Sequence, residues 1–140
     1  MPNIYIYFLK ELYLVQTREK TFTSSAKYIS YLRSYLKDKP GKPDAPELIS
    51  TTNTTATLKW QPPKEDGGAE IFNYIIEYRA EGAFKWLRAT QEKVPKTSYQ
   101  VKGLDKGVVY EFRVAAENKA GVGPASDPTK PVEVKEPVGE

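Results

Sequence analysis

The chain has 140 residues, of which 39% are hydrophobic and 28% charged, with a formal net charge of +3. That mix suits a water-soluble globular chain. The absence of histidine and cysteine removes the commonest general base, thiol nucleophiles, disulfides and every zinc site that needs Cys. The near balance of 21 basic and 18 acidic residues lacks the dense basic footprint of a nucleic-acid binder.

The sequence changes character after Lys39. Residues 1–39 hold no glycine, a single proline (Pro2) and six of the ten tyrosines. They carry 7 basic and 3 acidic residues, so the net positive charge belongs to them; the remainder is close to neutral at −1. Within this N-terminal extension Tyr5, Phe8, Leu9, Leu12 and Tyr13 recur at three and four residues. Tyr28, Tyr31, Leu32, Tyr35 and Leu36 do the same. The spacing predicts two short amphipathic helices, although residues 4–8 also alternate and leave a strand open there. Residues 16–25 have no period and read as a connection. A charged amphipathic helix admits a membrane surface or a partner. The plainer reading is a loosely ordered or disordered extension, and membrane contact is not expected. A run rich in Tyr, Ile, Phe, Lys and Leu also resembles translated AT-rich non-coding sequence. The apolar stretch 4–9 is too short for a signal peptide core or a membrane span.

From residue 40 short β-prone runs alternate with Pro, Gly, Asn and Asp, the texture of an antiparallel sandwich. Pro40, Gly41, Pro43 and Pro46 predict an extended lead-in to an edge strand. In the run from Ala56, the residues Ala56, Leu58 and Trp60 share one face, and Pro62 and Pro63 end the strand. Asp66-Gly67-Gly68 predicts a turn. Tyr74, Ile76 and Tyr78 then face one way and Glu77 and Arg79 the other. Residues 84–89 fit a short strand, and Tyr99 and Val101 another. After the turn at Leu104-Asp105-Lys106-Gly107, the residues Tyr110, Phe112, Val114 and Ala116 point inward. Glu111 and Arg113 point outward, where they can lie across from Arg79 and Glu77. Residues 118–124, with Gly121 and Gly123, read as a loop. A weak last strand, broken by Pro128 and Pro131, falls within 126–134. The expected fold is therefore all-β: a seven-stranded antiparallel immunoglobulin-like sandwich over 40–134 with a tail at 135–140. Its core is Leu58, Trp60, Tyr74, Ile76, Leu104, Tyr110, Phe112 and Val114.

These residues resemble a fibronectin type III domain over about residues 40–131. The marks are Leu58-Lys59-Trp60-Gln61-Pro62-Pro63, Asp66-Gly67-Gly68, the run through Tyr74 to Glu77-Tyr78-Arg79, and Tyr110-Glu111-Phe112-Arg113-Val114-Ala115-Ala116-Glu117-Asn118. The resemblance implies a tyrosine corner, with the Tyr110 hydroxyl bonded to backbone near Leu104. Lys106 stands where many members have proline. The stretches Trp60 to Gly68 and Ala116 to Pro128 are similar to the repeats of giant muscle proteins, twitchin and titin. That similarity implies a repeat with thick-filament or neighbouring-domain partners in the sarcomere. Residues 1–39 match nothing in that family.

Other candidates are weaker. Asn53-Thr54-Thr55 fits a glycosylation sequon. Glu65, Asp66 and Glu70 could be read as a calcium loop, and Lys93, Lys96, Lys102 and Lys106 as a basic patch, but solvated loops explain both. Gly121 and Gly123 follow a sandwich strand and not a βαβ unit, so they make no dinucleotide fingerprint. No catalytic residue, cofactor, metal, small-molecule substrate or nucleic-acid partner is expected. The function read here is a non-catalytic structural or protein-interaction module of a cytoplasmic filament protein. The alternative is an extracellular receptor or adhesion module that binds a protein ligand.

Overall fold

The computed structural model describes residues 4–9, 12–17, 21–22, 26–28, 31 and 36–137. Two compact units divide the chain, Met1–Lys37 and Asp38–Glu140. The first holds a three-stranded antiparallel sheet in the order β1 (Ile4–Leu9), β2 (Leu12–Thr17), β3 (Thr21–Phe22). The register runs from Ile4 opposite Thr17 to Leu9 opposite Leu12. This overturns the helix expected from Tyr5, Phe8, Leu9, Leu12 and Tyr13, and part of the expected connection at 16–25 is strand. In a dense apolar run almost any period finds matches. Residue type decides instead, since Ile4, Tyr5, Ile6, Tyr7, Phe8, Tyr13, Val15 and Thr17 are all β-branched or aromatic. Residues 26–28 and 31 are helical, within or beside the second predicted helix; its Leu32 and Tyr35 lie outside the described residues.

The second unit is a sandwich of two antiparallel sheets. One has the order β4 (Glu47–Thr51), β5 (Ala56–Lys59), β8 (Ser98–Val101). The other has the order β10 (Gly121–Val122), β9 (Val109–Asn118), β6 (Asn73–Ala80), β7 (Leu87–Arg88), with β11 (Val132–Glu133) also on β9. Strand residues alternate in direction. The inward set therefore meets between the sheets: Leu58, Phe112, Val114 and Val101 are fully buried, with Trp60, Tyr74, Ile76, Leu104 and Tyr110 nearly so. Trp60 meets Tyr74 edge-on at 5.5 Å between ring centroids. Of the strand expected over 84–89, Leu87–Arg88 pairs with β6 and Ala89 N–H donates to Ile76 O at 2.8 Å, while Phe84 is 99% exposed.

The last edge strand is a single irregular segment. After β10, the backbone N–H groups of Gly123, Ser126 and Thr129 donate to the carbonyls of Ala116, Val114 and Phe112, and Val132 then pairs with Tyr110. Every three residues of this segment thus advance two along β9, with Pro124, Pro128 and Pro131 in the successive bulges. Proline has no N–H to give to a ladder, and a bulge is where a strand tolerates it. The N–H groups of β9 that such a ladder leaves over go to side chains. Val114 N–H donates to Ser126 Oγ at 3.0 Å and Phe112 N–H to Thr129 Oγ1 at 3.1 Å.

Candidate functional site

Three segments that are far apart in sequence meet at the end of the sandwich where β5 runs out. They are the incoming segment 38–41, the loop 64–70 and the turn 118–123. The incoming segment follows the loop: Asp38 N–H donates to Gly67 O at 2.9 Å and Gly41 N–H to Glu65 O at 2.8 Å. Asn118, 1% exposed, ties all three together. Its Nδ2 donates to Asp38 O and to Asp66 O, both at 2.7 Å, and its Oδ1 accepts from Ala120 N–H at 2.8 Å. A buried amide with both ends satisfied specifies one arrangement of its neighbours.

Glycine makes the approach possible. Gly67 has φ +77°, and a Cβ there would lie 2.0 Å from Asp38 O. Gly123 has no such φ, yet a Cβ would lie 2.0 Å from Pro40 O. The sequence marked both as turn glycines. Gly67 does turn the chain, with Asp66 Oδ1 accepting from Gly68 N–H at 2.7 Å, but Gly123 is there for close approach of backbone. Pro40 and Pro43 are among the fully buried residues, so the lead-in is part of the packed domain. The boundary therefore falls at Lys37/Asp38, two residues before the composition change.

The outgoing segment is held at the opposite end, where β5 begins. Thr51 Oγ1 donates to Lys135 O at 2.8 Å. Asn53 N–H donates to Glu136 Oε1 and Glu136 N–H to Asn53 Oδ1, both at 3.2 Å. Residues 135–136, expected as tail, are thus tied to the sandwich, and the sequon residue Asn53 is half-buried in that clasp.

The tyrosine corner forms as the resemblance implied. Asp105 N–H donates to Tyr110 Oη at 3.0 Å. On the outer face of the β6–β9 pair, Glu77 lies opposite Arg113 and Arg79 opposite Glu111, with ion-pair distances of 2.9 and 3.0 Å. Sequence alternation placed these four residues outward, but it gave no sign of Trp86. Its ring lies 4.4 Å from the Arg79 guanidinium carbon and 4.2 Å from that of Arg113. Among the described residues no group of three acidic side chains is placed to hold a metal ion. Of the four lysines of the suggested basic patch, Lys93 lies 5.0 Å from the Phe72 ring centre.

The sequence model for the fibronectin type III domain matches residues 41–132. The chain belongs to the fibronectin type III family. It is 35% identical over 98 residues to cardiac-type myosin-binding protein C of Gallus gallus, a match over 68% of this chain and 8% of that protein. Fast-type myosin-binding protein C of Mus musculus is 37% identical over 94 residues, again 8% of its length. The chain thus spans about 8% of the curated relatives it matches. Among solved structures, domains of titin superpose with a TM-score of 0.68 at 30% identity, covering 89% of this chain and 41% of that one. The C. elegans twitchin kinase region superposes at 0.66 with 35% identity, covering 70% and 17%. The fibronectin type III domain of this chain is homologous to modules of these muscle proteins.

Proposed function

We propose that this fibronectin type III domain is one non-catalytic structural repeat of a sarcomeric filament protein, acting through contacts with neighbouring domains and filament proteins. The observation that carries the reading is the tying of the chain at both ends. The incoming segment is bonded to the loop 64–70 and to Asn118, and the outgoing segment to Asn53 at the opposite end. A repeat threaded this way passes load from one end of the sandwich to the other. Its incoming segment 38–41 is bonded to the body of the sandwich. Homology to titin, twitchin and myosin-binding protein C supports the sarcomeric setting. No helix among the described residues is long and apolar enough to cross a membrane. The test is immunofluorescence on muscle of the source organism with an antibody against residues 38–137. Regular striations are expected. Staining confined to the cell surface would overturn the reading in favour of an adhesion or receptor module.

A further inference from the structure

Three of the sandwich's sheet edges are blunted. β7 is two residues long, β4 is bulged between Leu48 and Ser50, and the segment after β10 carries Pro124, Pro128 and Pro131. Such features keep foreign strands from pairing. The edge at β8 has none of them. Ser98–Val101 stays in unbroken register with β5 and has no strand on its other side among the described residues. Trp60 N–H donates to Thr97 O at 2.9 Å. Bonded pairs alternate along an antiparallel ladder, so the next are Leu58 with Tyr99 and Ala56 with Val101. Ser98 and Gln100 therefore turn their N–H and C=O groups to the free edge, where no described residue bonds them.

Two further observations say what fits there. Lys96 and Lys102 bracket the strand; both are exposed, and neither forms an ion pair with a described residue. The stretch 93–104 holds three lysines and no acidic residue. Leu87 supplies the second observation. It lies opposite Tyr78, which packs on the core, and so shares the inward side of its sheet, yet it is 46% exposed. Thr51 of β4 bonds to Lys135 beside β11, so β4 lies on the β11 side of the sandwich and β8 on the β7 side. The sheet that ends at β8 stops short of covering Leu87.

We propose that the free edge of β8 receives an extended segment of a partner protein as a fourth strand, one in which acidic and apolar residues alternate. Main-chain bonds to Ser98 and Gln100 hold the segment, and its alternating side chains select it. Residues opposite Ser98 and Gln100 point outward, where acidic side chains reach the lysines at either end. Residues opposite Tyr99 and Val101 point inward on the side of Leu87, where apolar side chains lose water. The same lysines repel a second β8 edge brought alongside, which favours an acidic strand over another copy of this chain. This inference goes beyond the structural reading and does not depend on it.

The experiment is amide hydrogen exchange of the full chain, read by NMR, with and without a short capped peptide of alternating glutamate and valine. The amides of Ser98 and Gln100 should exchange freely in the chain alone and slow by roughly tenfold or more with the peptide. The amides of Tyr99 and Val101, bonded to β5, should be protected in both. The same peptide N-methylated at its glutamates keeps its charge but loses the N–H groups that face β8, and it should give no protection. The variant K96Q/K102Q should bind about two- to tenfold more weakly, from the loss of two exposed charge contacts. Four results would each overturn the proposal. One is Ser98 and Gln100 left unprotected by the peptide. Another is equal binding of the glutamate-methylated peptide, which would mean charge attraction without a strand. A third is K96Q/K102Q binding as tightly as the wild type. The last is protection of Ser98 and Gln100 without peptide that grows with protein concentration, which would mean that copies of this chain pair at the edge.

Discussion

Replacing Gly67 by alanine probes the clamp on the incoming segment, and Gly82 supplies an internal control. Both glycines sit at nearly the same positive φ, +77° and +83°, but a Cβ at Gly82 meets nothing within 4 Å. Alanine at either site bears the left-handed penalty of roughly 1–2 kcal/mol, offset by about 0.4–1 kcal/mol from a stiffer unfolded chain. Gly82→Ala should therefore cost about 0–1.6 kcal/mol. Alanine at Gly67 must in addition push Asp38 O from its position 2.0 Å away. That breaks the bond from Asp38 N–H to Gly67 O and the bond from Asn118 Nδ2 to Asp38 O. Two such bonds add about 1–3 kcal/mol, at roughly 0.5–1.5 kcal/mol each. Urea unfolding gives the difference from the two midpoints at a common m-value. Hydrogen exchange locates it, because the amides of Asp38 and Gly41 should lose protection in Gly67→Ala and keep it in Gly82→Ala. Equal midpoints for the two variants, with Asp38 and Gly41 still protected, would refute the clamp.

Trp60→Ala should destabilise the domain by about 3–5 kcal/mol, the range for a large aromatic removed from a core, as measured by urea unfolding. Ser126→Ala removes the acceptor for Val114 N–H at 3.0 Å and should cost about 1–3 kcal/mol for the stranded buried donor. A loss below half of that would show that the edge segment repairs the ladder itself. Trp86→Ala removes two guanidinium contacts and should cost about 1–2 kcal/mol, at roughly 0.5–1 kcal/mol for each partly exposed cation–π contact. A matching loss on Arg79→Ala/Trp86→Ala, without additivity, would confirm that the groups act together. Tyr74 titrates above its ordinary 10.0 because burial disfavours the phenolate. The unfolded chain then loses this proton first as pH rises. The contribution is complete below 10 and is lost between 10 and the raised value. The urea midpoint should fall more steeply with pH above 10 in the wild type than in Tyr74→Phe, and equal slopes would contradict the assignment.

The sandwich was legible because its strands bury one face each. Alternation marks Leu58, Trp60, Tyr74, Ile76, Tyr110, Phe112 and Val114 as inward without any knowledge of their partners. The clamp was not legible, because it depends on approaches between distant segments. Gly123 looks like any loop glycine until Pro40 O arrives beside it, and Asn118 like any strand-end asparagine until Asp38 and Asp66 present their carbonyls. Trp86 escaped for a related reason. It precedes a two-residue strand, so no alternation marks its side, and its stacking needs the cross-strand register of Arg79 and Arg113. In the first unit the three- and four-residue spacing from Tyr5 to Tyr13 misled, because the run is apolar at nearly every position and β-forming types outweigh the period.

The central claim is that this domain is one repeat of a much longer chain. The relatives match 98 residues over 8% of their length, so they run to about 1,200 residues. A denaturing gel of source muscle, probed with an antibody against residues 38–137, measures the size directly. The account predicts a band many times heavier than 15.8 kDa. A sole band at 15.8 kDa would contradict it, leaving a stand-alone domain whose clamped ends join no neighbours.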